Sequence, residues 1–474
     1  MKTHFFTLLF LLCLSMNINA QHFSKENGEL KVPSLLSDNM VLQQSSDVNI
    51  WGEAAPGANV TLTTSWNKNT YTAKSSADGK WQMKVATPAA TTNPQVITIK
   101  SNGKSIKLSN ILIGEVWFGS GQSNMQMPMR GFDFCPLEGT NRDIAISGNN
   151  KLVRYATVKN IGSETPQEYS NSDGWKESNP ENTPEFGATA YYFATLLSQT
   201  LNVPVGIINC SWGGSTVEGW LPKEIVAGYK DVKNDEKTPE YMKPWIMFNG
   251  MLNGSYKYSI KGFLWYQGES NVGHPDYAKR LSTMVNLWRE MWKQGDLPFY
   301  QVEIAPFDYG NNIVGALLRE EQFKAQSIIN KCGMISTNDL VEPFEIHQIH
   351  PKEKQKVGER LAFMALNETY GLKKIGCRGP EYKSMEIKGN KAIIYFNNAE
   401  NGFNRWSGFE GFEIAGADKK FYPAQASNDG KNLVVSAPEV QEPVAVRYCF
   451  KNFQIGNLTN LYQLPAVPFR TDNW

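Results

Sequence analysis

Gly114-Glu-Val-Trp-Phe-Gly-Ser-Gly-Gln-Ser-Asn-Met125 runs from apolar residues into a glycine-rich turn that carries Ser123. Val116-Trp117-Phe118 reads as a buried strand. A strand that stops at small residues and presents a serine lifts a nucleophile to the end of a parallel sheet. Met125 stands where the usual nucleophile elbow has glycine, which argues against an ordinary α/β-hydrolase. A lone Gly-x-Ser also fits a plain strand-to-loop turn, so the reading depends on what else the chain supplies.

Ser123 needs a base, and histidine serves near neutral pH. The chain has five histidines. His4 falls in an N-terminal apolar segment and His22 just beyond it, which leaves His274, His347 and His350. His350 precedes Pro351 in Ile349-His-Pro-Lys-Glu-Lys-Gln-Lys-Val-Gly-Glu-Arg-Leu-Ala362. Proline followed by Val357, Leu361, Met364 and Ala365 predicts the start of an amphipathic helix. There the helix dipole would disfavour protonation and keep the imidazole a base. His347 is an alternative base without that helix-start position.

Two more segments share the grammar of strand, then small or polar turn. Val205-Gly-Ile-Ile-Asn-Cys-Ser-Trp-Gly-Gly-Ser215 ends in Gly213-Gly214, a turn able to point backbone N–H groups at an oxyanion. Gly262-Phe-Leu-Trp-Tyr-Gln-Gly-Glu-Ser-Asn271 ends in Gln267, Gly268, Glu269 and Asn271. Polar groups at the ends of successive parallel strands are where α/β folds bind ligands.

Gly-Gln-Ser-Asn-Met, Trp-Gly-Gly-Ser, Trp-Tyr-Gln-Gly-Glu-Ser-Asn and Ile-His-Pro…Lys…Val-Gly…Arg-Leu-Ala together resemble the sialate O-acetylesterases. These belong to the SGNH-hydrolase superfamily and are similar to some acetyl-xylan esterases. The resemblance extends from Asn39 to the C-terminus. It implies ester hydrolysis through an acyl-serine, with Ser123 as nucleophile and His350 as general base. It implies oxyanion donors at the Ser123 and Gly214 N–H groups and the Gln267 side chain. Asn124, Glu269 and Asn271, in the same blocks, are expected at the substrate. Many superfamily members carry Asp three residues before the histidine; here that position is His347, and neither Gln348 nor Ile349 can serve. Asp339, at the end of a predicted strand, is favoured as the acid that fixes the imidazole tautomer. Glu269 is its rival, and Glu342 and Glu345 are loop alternatives.

Charge is balanced, with 47 Lys+Arg against 46 Asp+Glu, so nothing favours nucleic acid or an anionic membrane as partner. Lys352, Lys354 and Lys356 read as a solvated helix face. The 13 tryptophans suit either sugar stacking or a large β-rich core. Residues 1–20, with Lys2, an apolar run from Phe5 to Leu14 and Ala20, read as a signal peptide. Its run is short for a membrane span, and Cys13 lacks the small residues that precede a lipidated cysteine. Export to the periplasm or medium is therefore expected. Cys135, Cys210, Cys332, Cys377 and Cys449 make no disulfide framework, although Cys332 and Cys377 are a conceivable pair, and no metal-ligand spacing occurs. No cofactor, metal or obligate protein partner is expected.

Residues 29–112 read as strands divided by turns such as Ala55-Pro-Gly57, hence an N-terminal β-sandwich. Residues 113–375 alternate strand and helix, with apolar stripes between Glu185 and Leu201 and between Asp276 and Lys293, hence an SGNH-type parallel sheet flanked by helices. Residues 380–474 return to strands as a C-terminal β-rich domain. Two long loops, Met127–Asn150 and Lys223–Pro244, are functional candidates. Arg130 in the first has the chemistry to hold a carboxylate such as that of sialic acid, or to brace its own loop. The expected function is a carbohydrate O-acetylesterase, most specifically for sialate. The alternatives are an acetyl-xylan esterase and, in another class, a non-catalytic glycan-binding protein.

Overall fold

The computed structural model describes residues 29–310, 312–404 and 408–474. The expected signal peptide, with His4, Cys13 and His22, lies outside the described residues. Six strands come first among the described residues: β1 (Val41–Gln43), β2 (Asp47–Glu53), β3 (Asn59–Thr64), β4 (Thr70–Lys74), β5 (Lys80–Ala86) and β6 (Thr91–Ser101). Strict alternation in β5 buries Trp81, Met83 and Val85 and leaves the intervening residues exposed, as a strand with one wet face requires. The β2–β5 pair packs on a second sheet that includes β3, β4 and β6, across Val48, Ile50, Val60, Leu62, Ile97 and Ile99.

β7 (Lys104–Gly121) joins this region to the rest. Its first part pairs antiparallel with β6, and its last residues pair with strands of the central sheet. The boundary expected between 112 and 113 thus falls inside one continuous strand. Every residue from Ile111 to Gly121 is buried, which is why the sequence there runs apolar instead of alternating.

The central sheet adds β8 (Val153–Val158), β9 (Ser172–Glu177), β10 (Val205–Ser211), β11 (Gly262–Tyr266), β12 (Phe299–Val302) and β13 (Cys332–Ile335). Its spatial order is β13-β12-β11-β7-β10-β8-β9. All neighbours are parallel except β8 and β9. From β7 the chain builds one side of the sheet and then crosses to the other, so the strand order reverses around β7. The carboxyl ends of β10, β7 and β11 flank that switch point, where open α/β sheets bind ligands.

Seven α-helices are described: α1 (Ser123–Gln126), α2 (Thr140–Ile146), α3 (Ala188–Leu201), α4 (Lys223–Val226), α5 (Tyr277–Trp292), α6 (Val314–Ile328) and α7 (Gln355–Met364). α3 and α7 cover one sheet face, and α5 and α6 cover the other. Trp117 and Phe118 are adjacent in β7 and so point to opposite faces. Trp117 stacks on Tyr300 and meets Phe193 of α3 edge-on. Phe118 meets Trp288 of α5, which also packs on Trp220, Phe263 and Trp265. These tryptophans fill the core and are closed to a sugar.

The C-terminal region forms two four-stranded sheets, one built on Lys391–Asn397 and the other on Phe412–Ala415. They share a core that includes Ile394, Ile414, Leu433 and Val446. Arg319 of α6, fully buried, donates to the carbonyls of Cys449, Lys451 and Asn452, and Glu320 pairs with Arg470 at 2.9 Å. The α/β class with β-regions on either side is as expected. The pairing of Cys332 with Cys377 is not: all five described cysteines are free, and buried Cys332 instead accepts the Gln301 amide. Among the described residues no helix is long and apolar enough to cross a membrane.

Candidate active site

Gly121 ends β7 at φ +133°, and a Cβ there would sit 2.2 Å from the Tyr266 carbonyl oxygen. Glycine therefore lets the ends of β7 and β11 close on each other. Ser123 follows as the first residue of α1, so its N–H has no intrahelical acceptor. Gln122 Oε1 accepts the N–H groups of Gly268 (3.2 Å) and Ser270 (3.4 Å), pinning the β11 turn to the serine turn. Gln126 Oε1 accepts the Gly213 N–H at 2.8 Å and does the same for the β10 turn. A Cβ on Gly213 would lie 3.3 Å from Ser123 Cβ, and Gly214 follows at φ +76° beneath the Tyr241 ring. The three blocks thus meet at one sheet edge.

The fourth block reaches that edge through Asn124. Its amide donates to Glu269 Oε1 at 2.6 Å and to the Ile349 carbonyl at 3.0 Å. His350, the next residue, is half-buried, with the edge of Phe132 against its ring at 5.3 Å. α7 begins only at Gln355, with Lys354 at its N-cap. The helix-dipole explanation for a neutral imidazole is therefore corrected: burial first, and then the nearby Lys354 charge, push His350 down to about 4. His347 is exposed and faces Asp308 at 3.5 Å, and His274 lies beside Asp231 at 3.2 Å.

Several expected partners are engaged elsewhere. Both Asp339 oxygens bind Arg360 of α7, at 2.7 and 2.5 Å, so the assignment of Asp339 as the orienting acid is corrected. Glu269 holds Asn124; its other oxygen is buried with no hydrogen-bond partner, and burial raises its pKa. Glu342 and Glu345 form a reciprocal capping box. Among the described residues no carboxylate hydrogen-bonds the His350 ring. Gln267, fully buried, donates to Ser215 O (3.1 Å) and Asn271 Oδ1 (2.7 Å) and accepts from Tyr277 (2.8 Å). Both amide hydrogens are occupied, which corrects its role as an oxyanion donor. Asn271 is likewise internal: it donates to Glu218 and accepts from Val217 and Gln267, and so is not placed to meet substrate. Arg130 is exposed and pairs with Glu185 at 2.8 Å.

A family model described as "Carbohydrate esterase, sialic acid-specific acetylesterase" matches residues 114–367, the run that supplies all four blocks. The chain belongs to that family. This carbohydrate esterase is 31% identical to a carbohydrate acetylesterase from Xanthomonas citri of solved structure, with a TM-score of 0.84 over 94% of this chain and 100% of that one. It is 26% identical over 405 residues to human sialate O-acetylesterase, covering 76% of this chain and 75% of the relative. The mouse sialate O-acetylesterase is 25% identical over 429 residues, covering 76% and 77%. The protein is a carbohydrate O-acetylesterase, a carboxylic-ester hydrolase.

Around the candidate site, sequence reasoning missed Cys135 and Lys354 and set Gln348 aside. Cys135 Sγ lies 3.9 Å from His350 Nδ1 and donates to Gln348 Oε1 at 3.6 Å. Neither residue is acidic, so a search for a carboxylate partner to His350 passed over Cys135 and dismissed Gln348. Lys354, read as part of a solvated face, is 1% exposed and donates to the Pro351 carbonyl at 2.6 Å; burial pushes it down to about 8. The signal was present: Lys354, Val357 and Leu361 stand at i, i+3 and i+7, on the buried stripe of α7.

Proposed function

We propose that Ser123 attacks the acetyl carbonyl of an O-acetylated sugar while His350 takes its proton. Water activated by the same imidazole then releases acetate from the acyl-serine. One observation carries this reading: the Asn124 amide ties the residue before the base to the residue after the nucleophile, at 3.0 Å. The N–H groups of Ser123 and Gly214 are the proposed oxyanion donors, one heading α1 and the other in the glycine turn. An imidazole pushed down to about 4 stays a base throughout the neutral range.

The proposed sugar is a sialic acid, supported by the kinship to sialate O-acetylesterases. Exposed aromatic rings near the site, Phe134 next to Cys135 and Tyr241 over Gly214, offer faces on which a pyranose can stack. Arg130, released from Glu185, would hold the sialate carboxylate. That existing ion pair also favours a second reading, in which the sugar is neutral, as in acetylated xylan. Export to the periplasm or medium rests on residues 1–20.

Ser123→Ala is expected to bind substrate yet leave a chromogenic acetyl ester uncleaved; full turnover in that variant would end the mechanism. Acetate release from O-acetylated sialic acid is compared with release from acetylated xylan in wild type and Arg130→Ala. A KM that rises only for the sialate supports the first reading. Equal effects on both substrates reject it.

A further inference from the structure

We infer that Cys135 and Gln348 replace the acid of a serine-hydrolase triad, fixing the proton of His350 on Nδ1 through a thiol held by an amide. The inference rests on the proposed roles of Ser123 and His350. Gln348 Oε1 accepts two hydrogen bonds, from the His350 backbone N–H at 3.1 Å and from Cys135 Sγ–H at 3.6 Å. With its own hydrogen turned to Gln348, the sulfur meets His350 Nδ1, 3.9 Å away, as an acceptor. Nδ1 then carries the hydrogen, and Nε2 is left as the basic nitrogen. When Nε2 takes the serine proton, Nδ1 keeps its hydrogen and goes on donating it to the sulfur.

The thiol is placed by the loop after the nucleophile. Gly131 turns at φ +81°, where a Cβ would lie 2.6 Å from the Cys135 carbonyl oxygen, and Cys135 N–H donates to Phe132 O at 3.0 Å. The same turn sets the Phe132 edge on the imidazole. Sulfur is a weak acceptor and carries no fixed charge, so this partner orients the ring without stabilising the imidazolium as a carboxylate would. The charged and titratable groups around the base are Lys354, which faces Glu269, Glu345, Glu353 and Cys135, and Glu269 beyond Asn124.

Cys135→Ala and Gln348→Ala are each expected to lower kcat about five- to tenfold, the worth of one neutral hydrogen bond, with KM held. Gln348→Ala keeps the test open should Cys135→Ala fail to fold. Cys135→Ser retains an atom that accepts and donates, and recovers part of the loss. Cys135→Asp places a carboxylate beside Nδ1 and moves the acid limb of kcat/KM to higher pH, which a packing role would not do. Nitrogen NMR of histidine-labelled protein is expected to show His350 protonated at Nδ1 in wild type and a mixture of tautomers in Cys135→Ala. Unchanged kcat in both alanine variants overturns the inference, as does a fall in kcat with tautomer and acid limb unmoved. His350→Ala and Ser123→Ala run alongside. Turnover in those controls defeats the catalytic reading itself, whereas inert controls beside unaffected Cys135 variants defeat only this inference.

Discussion

His350 is kept neutral by two unequal causes, burial and then the Lys354 charge. The expected kcat/KM is flat across neutral pH and falls only as pH drops through about 4, measured as a pH–rate profile on a small acetyl ester. Lys354→Met removes the lesser cause, so the acid limb moves up, though not as far as the ordinary histidine value. The same depressed pKa is linked to stability. The unfolded chain takes the proton near 6.5 and the folded one near 4, so this group's contribution is full above 6.5 and declines between the two values. Thermal melts of wild type against His350→Ala across that window check the sign. The stretches that carry Ser123 and His350 could be singled out because each is a local motif with its own reason for existing, and Asn124 joins them at 3.0 Å. Cys135 was not, because its meaning comes from a residue 215 positions away, and no spacing rule reaches that far.

Elements with a regular burial pattern, on one face or on both, were legible as well. The stripes of α3 and α5, and the apolar runs of β7, β10 and β11, are patterns that burial imposes directly on sequence. β8 was harder to see, because its buried Arg154 is made tolerable by Glu177 at 2.8 Å on β9, a pairing invisible before folding. α7 begins later than proline suggested, since the Lys354 side chain returns to the Pro351 carbonyl and holds the intervening residues as a turn. Two substitutions probe this scale. Gly121→Ala drives a Cβ into the β11 backbone at a φ few side chains adopt, and is expected to cost about 2–4 kcal/mol. Trp288→Ala empties the contact between α5 and the sheet, and is expected to cost about 3–5 kcal/mol. Urea denaturation followed by circular dichroism measures both.

Across the whole molecule, the sheet and the C-terminal β-region are joined by a buried charge. Arg319 satisfies carbonyls of the Cys449–Asn452 turn, and its charge partly offsets the burial that raises the Glu303 pKa. Arg319→Met strands both, and is expected to lower stability by about 3–5 kcal/mol, seen as a reduced urea midpoint and earlier proteolysis within 380–474. Three regions were expected from the pattern of strands and helices along the chain. Their joints were not, because a joint depends on which residues a strand carries from one sheet into the next. β7 is such a joint: it serves the outer sandwich and the central sheet with one unbroken backbone. No linker stands between them to absorb a tilt, so torsion applied to the outer layers is delivered to the main chain that leads into Ser123, the proposed nucleophile. Excision of 29–112 would cut a rod, not detach a module, and the shortened chain is expected to lose esterase turnover along with the sandwich.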